Sequence, residues 1–558
     1  MIMILKSKIL LCIFIICISN CHAFIVDDIE YNKDRDGLIA RKCYKTGIVR
    51  IPSQVKYEGT TYDVVQIYSN FLNKNSNVTK LIIPNSIKEI MERAFEGCGS
   101  LKEITIEDGD NSMVYGGNLC EIETIYIGRS LISNVSNPRA PFGNKVKKLS
   151  FGENVSFIFD SMFYGCTLLK DLKLPSNLER IYRNAFYGCS GLNRIQFNNS
   201  CKTINDRAFS GCHNLTEITI PGSVTELGDY VFEDCRNIKR IVIEESKKLL
   251  SRYPGTDKHA FYGLNLQDLY IGRDVSCTFG DCSIQKIVFS SNVDKIYPIF
   301  LYCEEIGTLR IEDSYKEVEI SRPIVYNRSI EKLYLGRDVR TTKSQLFGTE
   351  LNELIIGVNV STISTGAFSG CQNLVKVDIP EGVREIGGYA FSGCQSLTSI
   401  YLPSTLENLD NRGIFNKCDR IKSIYCNYIP GKASDHLDGY EVFSKNVFKE
   451  ATLYVPLNTT SFFNVLGWKM FTNIQETKEL TNGMYKVVDV GSVRNLSDCI
   501  ELAGFPVSSI VYLNSIDGKQ YGRFEITDGC NYRIPKANLP LGIYVIRANS
   551  FIYKFLIQ

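Results

Sequence analysis

Histidine and tryptophan are nearly missing from this chain, at four and one among 558 residues. Histidine is the usual proton shuttle and metal ligand near neutral pH, so its scarcity leaves little room for acid–base or metal catalysis. An excess of one charge is also missing. Sixty-three basic residues against sixty-one acidic ones leave a formal +2, and so small a balance gives no electrostatic reason to expect nucleic acid or an anionic membrane as partner. Beyond the first two dozen residues no apolar run reaches the ~18 residues that suggest a membrane span. The nucleophile elbow G-x-S-x-G, the zinc motif H-E-x-x-H, the phosphate loop and the dinucleotide fingerprint are all absent. Hydrophobic residues at 44% and charged residues at 22% fit neither a wholly disordered chain nor a polytopic membrane protein.

At the start, Lys6 and Lys8 precede ten apolar residues from Ile9 to Ile18, and a short polar stretch ends in Cys21-His22-Ala23. That pattern predicts a secretory signal peptide over residues 1–23, cut after Ala23. The competing expectation is a lipoprotein with Cys21 as its lipidated first residue, although Asn20 is larger than the small residue such a site normally has. Removing Cys12, Cys17 and Cys21 leaves seventeen of the twenty cysteines, an odd number, so at least one thiol stays unpaired in a monomer. Cys166, Cys189, Cys212 and Cys235 are 23 residues apart each time, Cys371 and Cys394 repeat the interval, and Cys418 follows at 24. A fixed interval marks a repeat position rather than a crosslinking pattern.

Aligned on those cysteines, Ile204–Pro221, Ile363–Pro380 and Ile386–Pro403 share the consensus I-x-x-x-A-F-x-G-C-x-x-L-x-x-I-x-I-P. The same frame occurs at Ile90–Ile106, Ile181–Phe197 and Leu227–Ile243, without its alanine at Phe159–Pro175, and loosely around Phe261, Phe300, Phe347 and Phe415. Alternating apolar positions in L-x-x-I-x-I predict one short strand per unit. Proline cannot donate to a ladder and ends it. The A-F-x-G-C portion brings the chain back, with phenylalanine filling the interior. A unit of 23 residues cannot bury that face alone, so the units are expected to stack into a one-dimensional solenoid with parallel strands on one face. In Tyr126-Ile127-Gly128-Arg129, Tyr270-Ile271-Gly272-Arg273 and Tyr334-Leu335-Gly336-Arg337, and more loosely in Leu354–Gly357, glycine replaces the proline. A turn with positive φ is expected there. Their irregular lengths predict a middle less uniform than the ends.

This repeat resembles the BspA-like class of leucine-rich repeat, found in surface and secreted proteins of Gram-negative anaerobes, over roughly residues 51–425. Ile51-Pro52-Ser53 followed by Tyr57–Tyr62 resembles that family's opening strand pair, and Ala451–Pro456 with Gly467, Trp468 and Phe471 resembles its closing segment. The expected organisation is an N-terminal β cap over 24–60, a solenoid over 61–430 and a C-terminal cap over 431–477. From Leu480 onward the repeat gives way to short alternating strands at Tyr485–Val490, Ser509–Leu513, Arg523–Ile526, Gly542–Ala548 and Phe551–Ile557, with a turn at Asp517-Gly518. These predict a small antiparallel β-sandwich over 478–558. That tail resembles the sorting domain of the type IX secretion route, with Gly518, Gly542, Tyr544 and Lys554 at its characteristic positions. The resemblance implies either transport or simple structural capping.

No catalytic set, cofactor site or metal site stands out. His213, His259 and His436 are far apart, and acidic pairs such as Asp27-Asp28 and Glu304-Glu305 read as solvated edges. The cysteine column reads as small buried thiols, with disulfides and a thiolate metal site as the competing readings. Function is then expected from the surface. The centre of each I-x-I triplet points away from the core, and that column reads Thr105, Tyr126, Lys173, Gln196, Thr219, Val242, Tyr270, Arg310, Tyr334, Asp378, Tyr401 and Tyr425. Its five tyrosines with Arg310 form a candidate ligand-contact stripe, set against tyrosine's plain preference for strands. The resemblance implies an exported, non-enzymatic protein at the cell surface, on the outer membrane or released. Its partner would be a protein on a host or bacterial surface; a glycan ligand or a concealed hydrolase are the alternatives.

Overall fold

The structure is a computed structural model. It describes residues 23–477 apart from 73–74, 76, 117–120, 134–139, 254–257, 326–329, 411, 431–441 and 466, and beyond 477 it describes seven strands. The signal segment with Cys21, the strand expected at Tyr485–Val490, His436 and Gly518 lie outside the described residues.

The L-x-x-I-x-I segments form the expected strands. Glu217–Ile220 pairs in parallel with Arg240–Ile243, matching Ile218 to Ile241 and Ile220 to Ile243. Those isoleucines are buried, and equivalent positions of successive units lie directly above one another. This long ladder runs from Gly47–Arg50 to Asn473–Thr477 in runs of five, two, seven and five strands. One uninterrupted hydrophobic core extends beneath it from Ile29 to Phe471. A stack of this kind holds its units together only through their neighbours.

The chain's return side departs from the expectation of strands on one face. A second parallel ladder is built from very short strands at the isoleucine opening each unit, as in Arg180–Ile181, Thr203–Ile204 and Glu226–Leu227. It also corrects one unit boundary, because Ile158 pairs with Ile181, so that unit opens at Ile158 and carries Met162 in the alanine position. After several of these short strands the chain passes through a left-handed residue, as at Asn184, Arg207, Tyr230 and Tyr389 with φ 51–57°. The amides of this turn donate to the next rung, for example Phe186 N to Ala208 O at 2.8 Å and Gly188 N to Ser210 O at 2.7 Å.

Identical positions therefore stack identical side chains. Phe163, Phe186, Phe209 and Phe232 form a column with ring centroids 5.3–5.8 Å apart, and Phe347, Phe368, Phe391, Phe415 and Phe443 form another at 5.3–5.5 Å. The cysteine column lies beside it. Cys189, Cys212 and Cys235 donate their thiols to the carbonyls of Phe163, Phe186 and Phe209 at 3.1, 3.4 and 3.1 Å, each one rung back. The fourteen cysteines from Cys43 to Cys426 whose side chains are described are all free and buried.

The glycine variants work differently from expectation. Gly128, Gly272, Gly336 and Gly357 do not have positive φ. They are needed for close approach: a Cβ on Gly128 would sit 2.4 Å from Asp108 N, and one on Gly336 would sit 2.6 Å from Asp313 N. The arginine that follows turns inward. Arg129, Arg273 and Arg337 are buried, and their guanidinium groups donate to main-chain carbonyls about two rungs back. Arg273 reaches Gly222 O and Pro221 O at 2.9 and 3.0 Å, and Arg337 reaches Ser291 O and Ser290 O at 2.9 and 2.8 Å. Nor is the middle of the long ladder less uniform. The seven-strand run from Glu217–Ile220 to Glu353–Ile356 is its longest, and the irregularity falls on the return side, where the short ladder is broken.

The ends are closed differently. Phe24–Val26, Ile29–Asp34 and Gly37–Cys43 are antiparallel, and Gly37–Cys43 joins the short ladder in parallel beside Thr60–Ile67. Gln54–Tyr57 and Thr60–Ile67 form a hairpin across Glu58-Gly59, both left-handed at φ 48° and 83°, as a tight hairpin turn requires. At the other end, the helix Lys445–Glu450 precedes two further parallel rungs, Thr452–Pro456 and Asn473–Thr477. Trp468 is buried there among Phe443, Phe463 and Phe471. The strands beyond 477 form two antiparallel sheets. Ser492–Asn495, Cys499–Ala503 and Tyr532–Pro535 make one, and Gln520–Glu525, Ile510–Ser515, Gly542–Ala548 and Phe551–Ile557 make the other.

If the phenylalanine column carries the stack, Phe209→Ala should remove about 3–5 kcal/mol of stability, whereas Phe209→Leu should cost far less. Urea unfolding followed by circular dichroism measures both, and a loss below about 1 kcal/mol for the alanine variant would contradict this account.

Candidate functional site

The strand register brings the candidate stripe into one column, in separate runs that follow the ladder's own breaks. Thr105 faces Tyr126; Val242, Tyr270, Val288, Arg310, Tyr334 and Ile355 follow one another; Asp378, Tyr401, Tyr425, Tyr454 and Gln475 complete it. Neighbouring side chains on one face of a parallel ladder are about 4.8 Å apart, close enough to act as one surface.

Four tyrosines of this column are anchored by acidic residues in the turn of the preceding unit. Tyr126 donates its hydroxyl to Asp108 at 2.7 Å, Tyr270 to Glu245 at 3.3 Å, Tyr334 to Asp313 at 2.8 Å and Tyr401 to Glu381 at 3.2 Å. The bond to Asp108, with partial burial, pushes the Tyr126 hydroxyl up to about 12. Burial raises Tyr334 further. Tyr334 is also only 8% exposed, because the Arg310 guanidinium lies 3.8 Å over its ring and pairs with Asp313 at 3.3 Å. As a member of the candidate stripe Tyr334 is thus corrected: it supports Arg310 and offers little surface of its own.

The end of the column is different. Tyr401, Tyr425 and Tyr454 occupy three successive rungs, each half-buried, and the rings of Tyr425 and Tyr454 stack at 4.9 Å and 11°. Asn427 donates to the Tyr401 hydroxyl at 2.6 Å. Tyr454 and Gln475 escaped the sequence reading because their rungs lack the A-F-x-G-C portion. The alternation in Leu453-Tyr454-Val455 is the signal that could have found Tyr454.

The other candidates are dispersed. His213 is exposed, with Nδ1 2.8 Å from Asp234 O, and His259 is half-buried with Nδ1 2.9 Å from Thr278 Oγ1. Among the described residues no three His, Cys, Asp or Glu side chains converge as a metal site. The buried thiols are chemically quiet: burial pushes Cys201, Cys235, Cys277 and Cys282 up to about 12. Gly542, Tyr544 and Lys554 fall in the paired strands Gly542–Ala548 and Phe551–Ile557, where Tyr544 faces Phe555 and Val545 faces Lys554.

A stack of about 23-residue rungs with a long parallel ladder and a cysteine–phenylalanine return is a leucine-rich repeat solenoid. Sequence comparison agrees: the model of the BspA type leucine rich repeat region matches residues 61–137, 142–254, 255–352 and 347–474. The chain belongs to that family. No curated protein matches it. Among solved structures, a leucine-rich repeat protein from Bacteroides ovatus is 24% identical, with 72% of this chain and 94% of that one covered at a TM-score of 0.30. A leucine rich cell surface protein from Faecalibacterium prausnitzii is 21% identical, with 74% and 96% covered at a TM-score of 0.27. The T. pallidum leucine rich repeat protein is 23% identical over 39% of this chain and 91% of that one, at a TM-score of 0.27.

The buried thiols should resist alkylation in the folded protein and react only after denaturation, as peptide mass spectrometry of the column cysteines can show. Their linkage to stability has a definite sign. The unfolded thiols ionise from about pH 9, while those four stay protonated to about 12 when folded. Their contribution is therefore complete below pH 9 and lost as pH rises through about 12. Urea midpoints should fall progressively from pH 9 to 11, and midpoints that hold level would contradict burial of these four thiols.

Proposed function

We propose that this is an exported leucine-rich repeat protein, displayed at the cell surface or released, which binds a protein on a host or bacterial surface through its long-ladder face. Its role is adhesion or protein–protein interaction rather than catalysis. The observation that carries this reading is the run of Tyr401, Tyr425 and Tyr454 on adjacent rungs, two of them stacked. Tyrosine supplies large contact area at low entropic cost, and a rigid ladder holds the rings in place before any partner arrives. The hydroxyls of Tyr425 and Tyr454 make no hydrogen bond among the described residues, so each is available to a partner. Lys6 to Ala23 supports export, and residues 478–558 serve sorting or capping.

The test is retention of proteins from host extracellular-matrix and bacterial surface extracts on the immobilised full chain, compared with its Tyr425→Ser/Tyr454→Ser variant. Retention should fall by about tenfold or more, roughly 1.4 kcal/mol, with circular dichroism and Tm unchanged. Equal retention by both proteins would rule this face out.

A further inference from the structure

On the opposite side of the solenoid, the return face contains a cavity of about 530 Å³ lined by Thr341–Ser344, Thr365, Gly366, Ser369 and Tyr389. That volume is in the range of small-molecule sites, roughly 300–1,000 Å³. Its origin is a fault in the repeat. Glu319 pairs with Arg340 and Ile296 with Ile320, so continuing the register puts Thr341 where those rungs carry a buried isoleucine. From Thr341 to Phe347 is six residues, against five from Ile363 to Phe368, and the short ladder is broken between Val339–Arg340 and Thr362–Ile363. One rung on, Gly366 occupies the left-handed position that carries Arg207, Tyr230 or Tyr389 elsewhere. A Cβ there would meet Ser344 Cβ at 2.7 Å. Gly366 thus lets Ser344 lie close against this rung, and the extra residue beside it leaves a notch. The core beneath is intact, with Phe347, Phe368 and Phe391 stacked at 5.5 and 5.3 Å.

The lining identifies what would fit. Thr342, Ser344 and Thr365 are exposed, and their hydroxyls make no hydrogen bond among the described residues. Tyr389, at 45% exposure, forms one wall with an aromatic ring. A ligand with many hydroxyls and one apolar C–H face satisfies both, which is the chemistry of a sugar. The local charge then selects among sugars. Arg340 is held by Glu317 and Glu319, each at 3.2 Å, and Arg412 by Asp410. Lys343 is exposed and has no ion pair among the described residues, and no carboxylate lines the cavity. Two main-chain amides of the lining segment are already used, Gln345 N donating to Gly366 O and Gly366 N to Gly388 O, both at 2.9 Å, and Lys343 N donates to Thr341 Oγ1 at 3.0 Å. We propose that this notch is a binding site for a carboxylate-bearing sugar, whose ring packs on Tyr389, whose hydroxyls bond Thr342, Ser344 and Thr365, and whose acid group meets Lys343. The site lies apart from the tyrosine column and does not rest on the function proposed for it.

Ligand-observed NMR titration of the full chain with D-glucuronate, D-glucose and inorganic phosphate tests this. Glucuronate should bind saturably and more tightly than glucose, by about fivefold or more. Tyr389→Ala should weaken both sugars about tenfold. Lys343→Gln should bring glucuronate down to the glucose level without affecting glucose, and Lys248→Gln, at an exposed lysine outside the notch, should leave both affinities unchanged. Gly366→Asn, which keeps a residue tolerant of positive φ but forces Ser344 aside, should reshape the notch and abolish binding. The proposal is overturned by no saturable glucuronate binding, by binding indifferent to Tyr389→Ala, or by phosphate competing as strongly as glucuronate.

Discussion

Each rung lies on a copy of itself in parallel register, so every position must tolerate its own kind as a neighbour. That constraint selects the residues more sharply than strand propensity does. Phenylalanine suits it because flat rings stack, as Phe186 and Phe209 do with planes only 1° apart. Cysteine suits it because it is small and its thiol can reach the carbonyl of the phenylalanine one rung back. Charged positions satisfy it by alternating sign. Glu123 meets Lys147 at 2.8 Å, Glu179 meets Lys202 at 2.7 Å and Lys332 meets Glu353 at 2.8 Å. Such exposed pairs contribute only about 0–1 kcal/mol each. Their larger effect is to avoid like charges standing opposite one another, and the near-neutral composition follows from it.

Where a rung breaks the pattern, a neighbouring rung compensates. The glycines Gly128, Gly272 and Gly336, which stand where other units have proline, bring two backbones too close for any Cβ, and the next residue in each is the arginine that turns inward. A guanidinium suits that position because its planar donors can reach two carbonyls at once and it remains charged. Lysine could not span the same pair of acceptors. In all three cases the Nε atom is buried without a partner. The arginines are thus fitted to the carbonyls they serve rather than to a complete network. Burial lowers their affinity for protons, but not enough to neutralise a guanidinium at any working pH.

Much of this could be read in the sequence. The interval between Cys166, Cys189, Cys212 and Cys235 sets the rung, and I-x-I sets the inward face, so the stack and the tyrosine column were both legible. The second ladder was not. Its strands span two residues, such as Thr203–Ile204, and one inward side chain leaves no alternation to detect. The left-handed turn was hidden because Asn184, Arg207 and Tyr230 occupy it instead of glycine. Gly128 and Gly336 misled for the opposite reason, since their role is proximity rather than φ, which only the packing of another rung reveals. The burial of Tyr334 depends likewise on where Arg310 lands one rung away.

The two faces therefore differ in what they can evolve to do. On the long ladder every side chain is fixed by strands above and below, so a new surface arises only by substitution within a column, as at Tyr401, Tyr425 and Tyr454. The result is one side chain per rung, repeated in register along the ladder. The return side is joined by shorter strands and turns, so it can absorb an inserted residue without disturbing the core, as the intact phenylalanine stack beneath Thr341–Ser344 shows. Insertions there produce concavities, which suit small ligands. A solenoid of this kind can thus acquire recognition of large and small partners independently, because the core that separates its two faces is the one element that cannot change.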